Sequence, residues 1–368
     1  AQPRWHRIPA SANGAPAHCT RRIRRPHTCS GTLAVSRTLP AQPSPPRLKG
    51  RFPPMNKALR ANLLLLLTAF IWGIAFVAQD VAMDSMGPFT FNAARTLVAA
   101  LALLPAIRLL DALELKRGGT AAAPRRLRDL PPAARRTLLI GGLCCGAALF
   151  VGSSLQQLGI RETSAGKAGF VTAMYIVLVP LSGLLFGRVV RRNIWLAVLL
   201  SVAGLFLLCV TEALTVGLGD LYLLLCAAAF TVHILVIDHF SPKTDCVRMS
   251  CLQFFVASAL CAVMMLLTEK PTLSALLSGW VPILYAGVLS GGMGYTLQMV
   301  AQRDTDPAVA SLIMCLESVF AVLAGWVLLG ETLTARELFG CALLMAGIVL
   351  AQLPGRKRQT ALSDRQAA

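Results

Sequence analysis

The chain has 368 residues, 55% of them hydrophobic and only 14% charged, with 35 Lys and Arg against 17 Asp and Glu. A water-soluble globular protein carries nearer ~25% charged residues, so a soluble enzyme or binding domain is excluded. Crossing hydrocarbon takes ~20 mostly apolar residues, and the ten apolar runs that follow Met55 leave no room for a soluble domain.

Residues 1–54 are a different polymer. They hold ten Lys and Arg, no Asp or Glu, and ten of the 21 prolines, with no apolar periodicity. Such a segment buries too little surface to fold. The first methionine is Met55, and MNKALRANLLLLL (55–67) reads as an ordinary start, short and basic and then a span. Residues 1–54 are therefore read as sequence upstream of the true start; the alternative is a basic arm for lipid or nucleic acid. The tail supplies ten of the net charge of +18, so no nucleic-acid partner is expected of the rest.

Ten spans are expected, at about 61–79, 89–109, 137–158, 165–186, 194–210, 218–237, 249–268, 280–299, 307–329 and 336–353. Trp72 lies deep in the first. Arg95, in the second, reads either as a snorkelling cation or as a bidentate binder of an anionic group. Residues 111–136 form a polar, basic linker. In the third span Gly142 and Gly146 are spaced for close helix packing, and Gln156 is near its end. The fourth holds Lys167, read first as a snorkelling residue, Tyr175 at depth, and Pro180, expected to kink it.

His233 in the sixth span lies one turn from Asp238 and His239; it reads as a packing histidine or as part of a proton relay. The eighth carries Gly287, Gly291 and Gly294, with Tyr285, Tyr295 and Gln298. Glu317 is near the middle of the ninth. An ionised carboxylate there costs ~2.5–3.5 kcal/mol or more, so it is expected to face a cavity and to favour its protonated form. That is what a proton-coupled carrier needs; a protonated Glu bonded to a nearby carbonyl is the structural alternative.

Residues 155–168 read LQQLGIRETSAGKA and residues 297–310 read LQMVAQRDTDPAVA. A constant offset of 142 pairs Arg161 with Arg303, Thr163 with Thr305, and Tyr175 with Glu317. Five spans per half is an odd number, so the second copy must be inverted in the bilayer, as in many secondary transporters. With the N-terminus inside, nineteen Lys and Arg beyond the tail fall on inside segments and three on outside loops. That asymmetry predicts two cytoplasmic termini. The expected division is a tail (1–54), a first repeat (55–210), a second repeat (218–353) and a cytoplasmic tail (354–368).

No GxxxxGK[ST] or HExxH motif occurs, and the nine cysteines beyond the tail show no ligand spacing. No cofactor or metal is implied.

Several segments resemble the ten-span EamA-type members of the drug/metabolite transporter superfamily. These are AFIWGIAFVAQ (69–79), FNAARTLVAALALLP (91–105), AGKAGFVTAMYIVLVPL (165–181) and SLIMCLESVFAVLAGWVLLGETLT (311–334). Their order and duplication over roughly 57–353 carry the likeness. Glu317 falls on a frequent family Glu, and Gly330-Glu331 on the element closing that span. The first repeat has Arg188, Arg191 and Arg192 at the latter place, so no symmetric role follows. The resemblance implies an all-α integral membrane protein with two inverted five-helix repeats around a central cavity. It also implies export of amino acids, drugs or related metabolites across a bacterial inner membrane, driven by ion gradients.

The expectation is a non-enzymatic carrier working by alternating access. Its partners are a small-molecule substrate, the bilayer and a coupling proton, and a homodimer is one assembly open to it. The substrate and coupling residues expected are Glu317, Arg95, Trp72, Tyr175, Lys167, Gln298 and His233. A lipid or lipid-linked precursor flippase is the rival within transport. A membrane sensor or intramembrane enzyme is the rival outside it, without the output domain or paired reactive residues either requires.

Overall fold

The structure is a computed structural model and describes residues 56–116, 129–162, 165–209, 217–324, 326–327 and 334–353, without the side chains of residues 115 and 165–167. The two tails, residues 117–128 of the 111–136 linker, the closing Gly330-Glu331 and the Lys167 side chain lie outside the described residues. The regular structure of the described residues is helical, with no strand among them.

The helices are α1 (Lys57–Met83), α2 (Pro88–Lys116), α3 (Pro132–Glu162), α4 (Ala165–Thr172), α5 (Tyr175–Leu185), α6 (Arg192–Cys209), α7 (Leu218–Phe240), α8 (Cys246–Thr268), α9 (Leu273–Ser278), α10 (Trp280–Leu284), a π-helix (Tyr285–Tyr295), α11 (Thr296–Gln302), α12 (Pro307–Met314), α13 (Leu316–Ala324) and α14 (Ala335–Gln352). Their starts follow ordinary cap chemistry. Asn56, Asp245, Asp306 and Thr334 each accept a hydrogen bond from the first turn of the helix they precede. Proline opens α2, α3 and α12, where its missing N–H costs nothing.

Nine helices among the described residues are long and apolar enough to cross a membrane. The run expected at 280–299 is not one of them. It is helical from Trp280 to Gln302 but passes from α to π and back to α. The expected fourth and ninth spans are interrupted too. α4 gives way to α5 at Ala173–Met174, and α12 to α13 at Cys315. The break in the fourth span thus precedes Pro180, which lies inside α5. Each interruption tightens to three-residue bonding, with Ile176 N on Ala173 O and Ser318 N on Cys315 O. The two breaks are 142 positions apart, the offset already seen in the sequence.

The packing repeats as well. α3 lies on α7 as α1 lies on the π-helix and α11; α3 on α8 as α2 on the π-helix; α1 on α12 and α13 as α7 on α4 and α5. α2 with α8, and α6 with α14, pair helices that occupy matching places in the two halves. Small residues make these crossings close. A Cβ on Gly204 of α6 would meet Gly340 O at 2.6 Å, and one on Gly340 would meet Gly204 O at 2.7 Å.

Two such contacts locate the irregularity. Gly146 of α3 faces the Gln253 carbonyl and Val256 of α8, and Gly287 faces the Arg95 carbonyl and Val98 of α2. Gly152 faces the Phe230 ring of α7, and Gly294 the Trp72 indole of α1. Six residues separate the first two glycine positions and seven the second. The extra residue falls within the π-helix, whose wider turn absorbs it.

The α2–α8 pair is tied at both ends. The Glu269 carboxylate accepts from Phe89 N (2.9 Å), Thr90 N (2.8 Å) and Thr90 Oγ1 (2.6 Å), capping α2 from the far end of α8. At the other end Arg248 donates to both Asp111 oxygens at 2.8 Å and to Asp245.

Candidate functional site

The two helix interruptions place Tyr175 at the start of α5 and Glu317 in the first turn of α13, facing one another across the bundle. The Tyr175 hydroxyl donates to Glu317 Oε1 at 3.3 Å. Both are buried, Glu317 to 7% exposure. The pair lines a cavity with Trp72, Arg95, Gln156, His233, Tyr295 and Gln298.

α1 and the π-helix form one wall. Trp72 Nε1 donates to Ser290 O at 3.1 Å, Thr68 Oγ1 to Gly294 O at 3.3 Å, and Tyr285 Oη to Ile71 O at 3.0 Å. Tyr295 lies against Trp72, ring centroids 4.6 Å apart, and meets His233 and Phe254 edge-on at 5.7 Å each. His233 Nε2 and Gln253 Oε1 are 3.0 Å apart, while Gln253 Nε2 has no partner among the described residues.

Arg95 is 7% exposed. Its Nε donates to Asn92 Oδ1 at 2.7 Å, Asn92 Nδ2 in turn donates to Ser153 O at 3.1 Å, and the guanidinium lies 5.2 Å from the Phe91 ring centre. Among the described residues it forms no ion pair. A buried charge without a counter-ion costs several kcal/mol, roughly, even after relaxation, so this cation is held where an anionic group would stabilise it. Gln298 Oε1 is likewise buried and without a partner among the described residues. The space left between the walls is about 50 Å³. That holds a few water molecules, so an organic ligand requires the walls to part.

Six of the seven residues expected from the sequence therefore line one cavity: Glu317, Arg95, Trp72, Tyr175, Gln298 and His233. The seventh, Lys167, has its side chain outside the described residues. Arg95 does not snorkel to the surface. The relay from His233 to Asp238 and His239 is not assembled: Asp238 pairs with Arg188 at 2.8 Å, and His239 bonds to Lys243. Tyr295 is also part of the cavity wall.

Sequence reasoning missed Asn92, Gln253 and the bonded pair Gln157–Gln79, which joins α3 to α1 at 2.8 Å. Asn92 is one turn before Arg95, a spacing that puts both on one helix face and was a usable signal. Among the described residues no three His, Cys, Asp or Glu side chains are grouped to hold a metal ion.

The sequence model of the EamA-like transporter family matches the chain twice, over residues 59–210 and 217–353. An uncharacterized transporter of Archaeoglobus fulgidus is 30% identical over 301 residues, covering 81% of this chain and 87% of that protein. The uncharacterized inner membrane transporter YedA of Escherichia coli K12 is 24% identical, covering 77% of this chain and 87% of that protein. A solved crystal structure superposes with a TM-score of 0.64 at 18% identity, covering 82% of this chain and 99% of the other, which speaks to the fold alone.

Proposed function

The chain belongs to the EamA-like transporter family, an integral membrane transporter and not an enzyme, and from that premise we propose that it is a secondary exporter of small organic metabolites, driven by exchange for protons. The two matched segments are inverted repeats of five spans each, with 280–302 counted as the eighth span. Both termini face the cytoplasm of a bacterial inner membrane, the side to which the basic loops assign them. The halves rock about a site near mid-membrane.

One observation carries the reading: Tyr175 and Glu317, equivalent positions of the two halves, are hydrogen-bonded in a buried cavity that also holds Arg95, which forms no ion pair among the described residues. A carboxyl group at that depth is the group best placed to take a proton from one side and yield it to the other. Tyr175 holds one of its oxygens. Arg95 anchors an anionic group of the cargo, Trp72 and Tyr295 contact its apolar part, and Gln298 offers its free carbonyl oxygen to a cargo donor. Lys167 is assigned to the outer approach.

Transport by the purified chain in proteoliposomes tests this. Uptake against a range of pH gradients is expected to respond steeply in the parent protein and not in Glu317→Gln. Transport by Glu317→Gln with unchanged pH dependence would refute the coupling.

A further inference from the structure

We propose that the seam between α5 and α7 binds an anionic phospholipid, its acyl chain lying along the seam and its phosphate among the arginines at the seam's end. The groove there has a volume of about 630 Å³, within the range of ligand pockets. Leu178, Leu185, Phe186, Val232, Leu235 and Val236 supply large apolar side chains to its wall.

The seam's counterpart in the other half shows that this opening is specific. There α1 lies on α13 so tightly that a Cβ on Gly73 would meet Phe320 Cβ at 2.5 Å and Ala321 N at 2.9 Å. The repeat carries Gly73 to Thr231, Phe320 to Leu178 and Ala321 to Val179. Thr231 and Leu178 line the groove, and Val179 lines a smaller adjoining cleft. The same joint is therefore closed between α1 and α13 and parted between α5 and α7. Apolar walls this far apart in a bilayer are filled by acyl chains, since hydrocarbon is the solvent there.

The end of the groove selects the head group. Arg188 lines both the groove and the cleft, and Arg191 lines the cleft. Arg192, next to Arg191 in the chain, and Lys243, bonded to His239 of the groove wall, are exposed. Two carboxylates stand against these four cations: Asp238, bonded to Arg188, and Asp306 in the cleft. The balance is positive, and basic pockets between membrane helices take phospholipid phosphates. The lipid is assigned a structural role and not that of cargo: among the described residues none lines both the groove and the central cavity. It acts as a wedge: an acyl chain in the seam holds α5 and α7 apart, and closing the joint must expel it.

The test uses the full chain in nanodiscs of phosphatidylcholine with and without phosphatidylglycerol, followed by counting the lipids retained on transfer to detergent. Retained lipid is expected to be enriched roughly tenfold in phosphatidylglycerol, with a higher unfolding temperature in the anionic discs. The double variant Arg188→Gln, Arg191→Gln is expected to keep the parent's helicity and lose the preference. Leu235→Trp, which narrows the groove from the α7 side, is expected to retain less of either lipid than the parent. Equal retention of both lipids by the parent, or an undiminished preference in the double variant, would overturn the proposal. So would equal stabilisation by soluble glycerol phosphate, which has the phosphate and no chain. None of these readouts depends on transport.

Discussion

The two halves of the molecule share a scaffold and divide the chemistry. Where the first half has Arg95 against Gly287, the second has Gln253 against Gly146; where the first has Trp72 against Gly294, the second has Phe230 against Gly152. Tyr175 stands opposite its own counterpart, Glu317. A regular α3 answers to a segment with a π-helix inside it. Backbone crossings are thus conserved between halves while the groups facing the cavity are not. Under the alternating access proposed above, exchanging the conformations of the two halves would give a second structure of similar packing but different polarity at each mouth. A carrier built this way can face both sides and still treat them differently.

The largest expected effect removes the acid from the second half. Glu317→Gln keeps the hydrogen bond to Tyr175 available but carries no exchangeable charge, and the pH-gradient-driven component of transport is expected to fall to background while equilibrative exchange persists. Next, Arg95→Gln gives the first half the residue of the second. Losing one partner of a buried charge contact costs about 2–5 kcal/mol, so the KM for an anionic cargo should rise by at least about thirtyfold, with little change for a neutral one. An equal rise for both would mean that Arg95 only holds α2 in place.

Gly340→Val tests the α6–α14 crossing, where the obstructing atoms are backbone and cannot swing away. Overpacking of this kind costs ~1–3 kcal/mol, read as a lower unfolding temperature in detergent. The smallest effect is Trp72→Phe, which makes the first half resemble the second at Phe230. It gives up the bond to Ser290 O, worth ~0.5–1.5 kcal/mol, and is expected to leave pH dependence intact. Stability unchanged by Trp72→Phe would show that α1 does not need this bond to hold the π-helix.

Much of the site was legible because the offset of 142 holds from Gly152, late in α3, through α5, and so relates Tyr175 to Glu317 by count alone. Counting fails for the first two helices of each half. Arg95 and Gln253 are 158 positions apart, as are Trp72 and Phe230, because the first half carries the longer linker after its second span. The equivalence of Arg95 and Gln253 therefore had no signal at the offset being read. The helix interruptions had no signal in the sequence either. Pro180 is a visible breaker, whereas the turns at Ala173–Met174 and Cys315 occur in ordinary helix-forming residues and answer to the packing of α4 and α12 against their neighbours.

The apolar runs, their punctuation and the surplus of basic residues on alternate loops were set by the sequence alone. Transfer from water to hydrocarbon is a property each side chain carries with it and sums along the chain. The absence of a counter-ion for Arg95 among the described residues, the bond between Tyr175 and Glu317, the extra residue in the π-helix and the parted seam between α5 and α7 were decided by tertiary structure. Each depends on which helices become neighbours, and between helices in lipid that is settled by how closely small residues let two backbones approach.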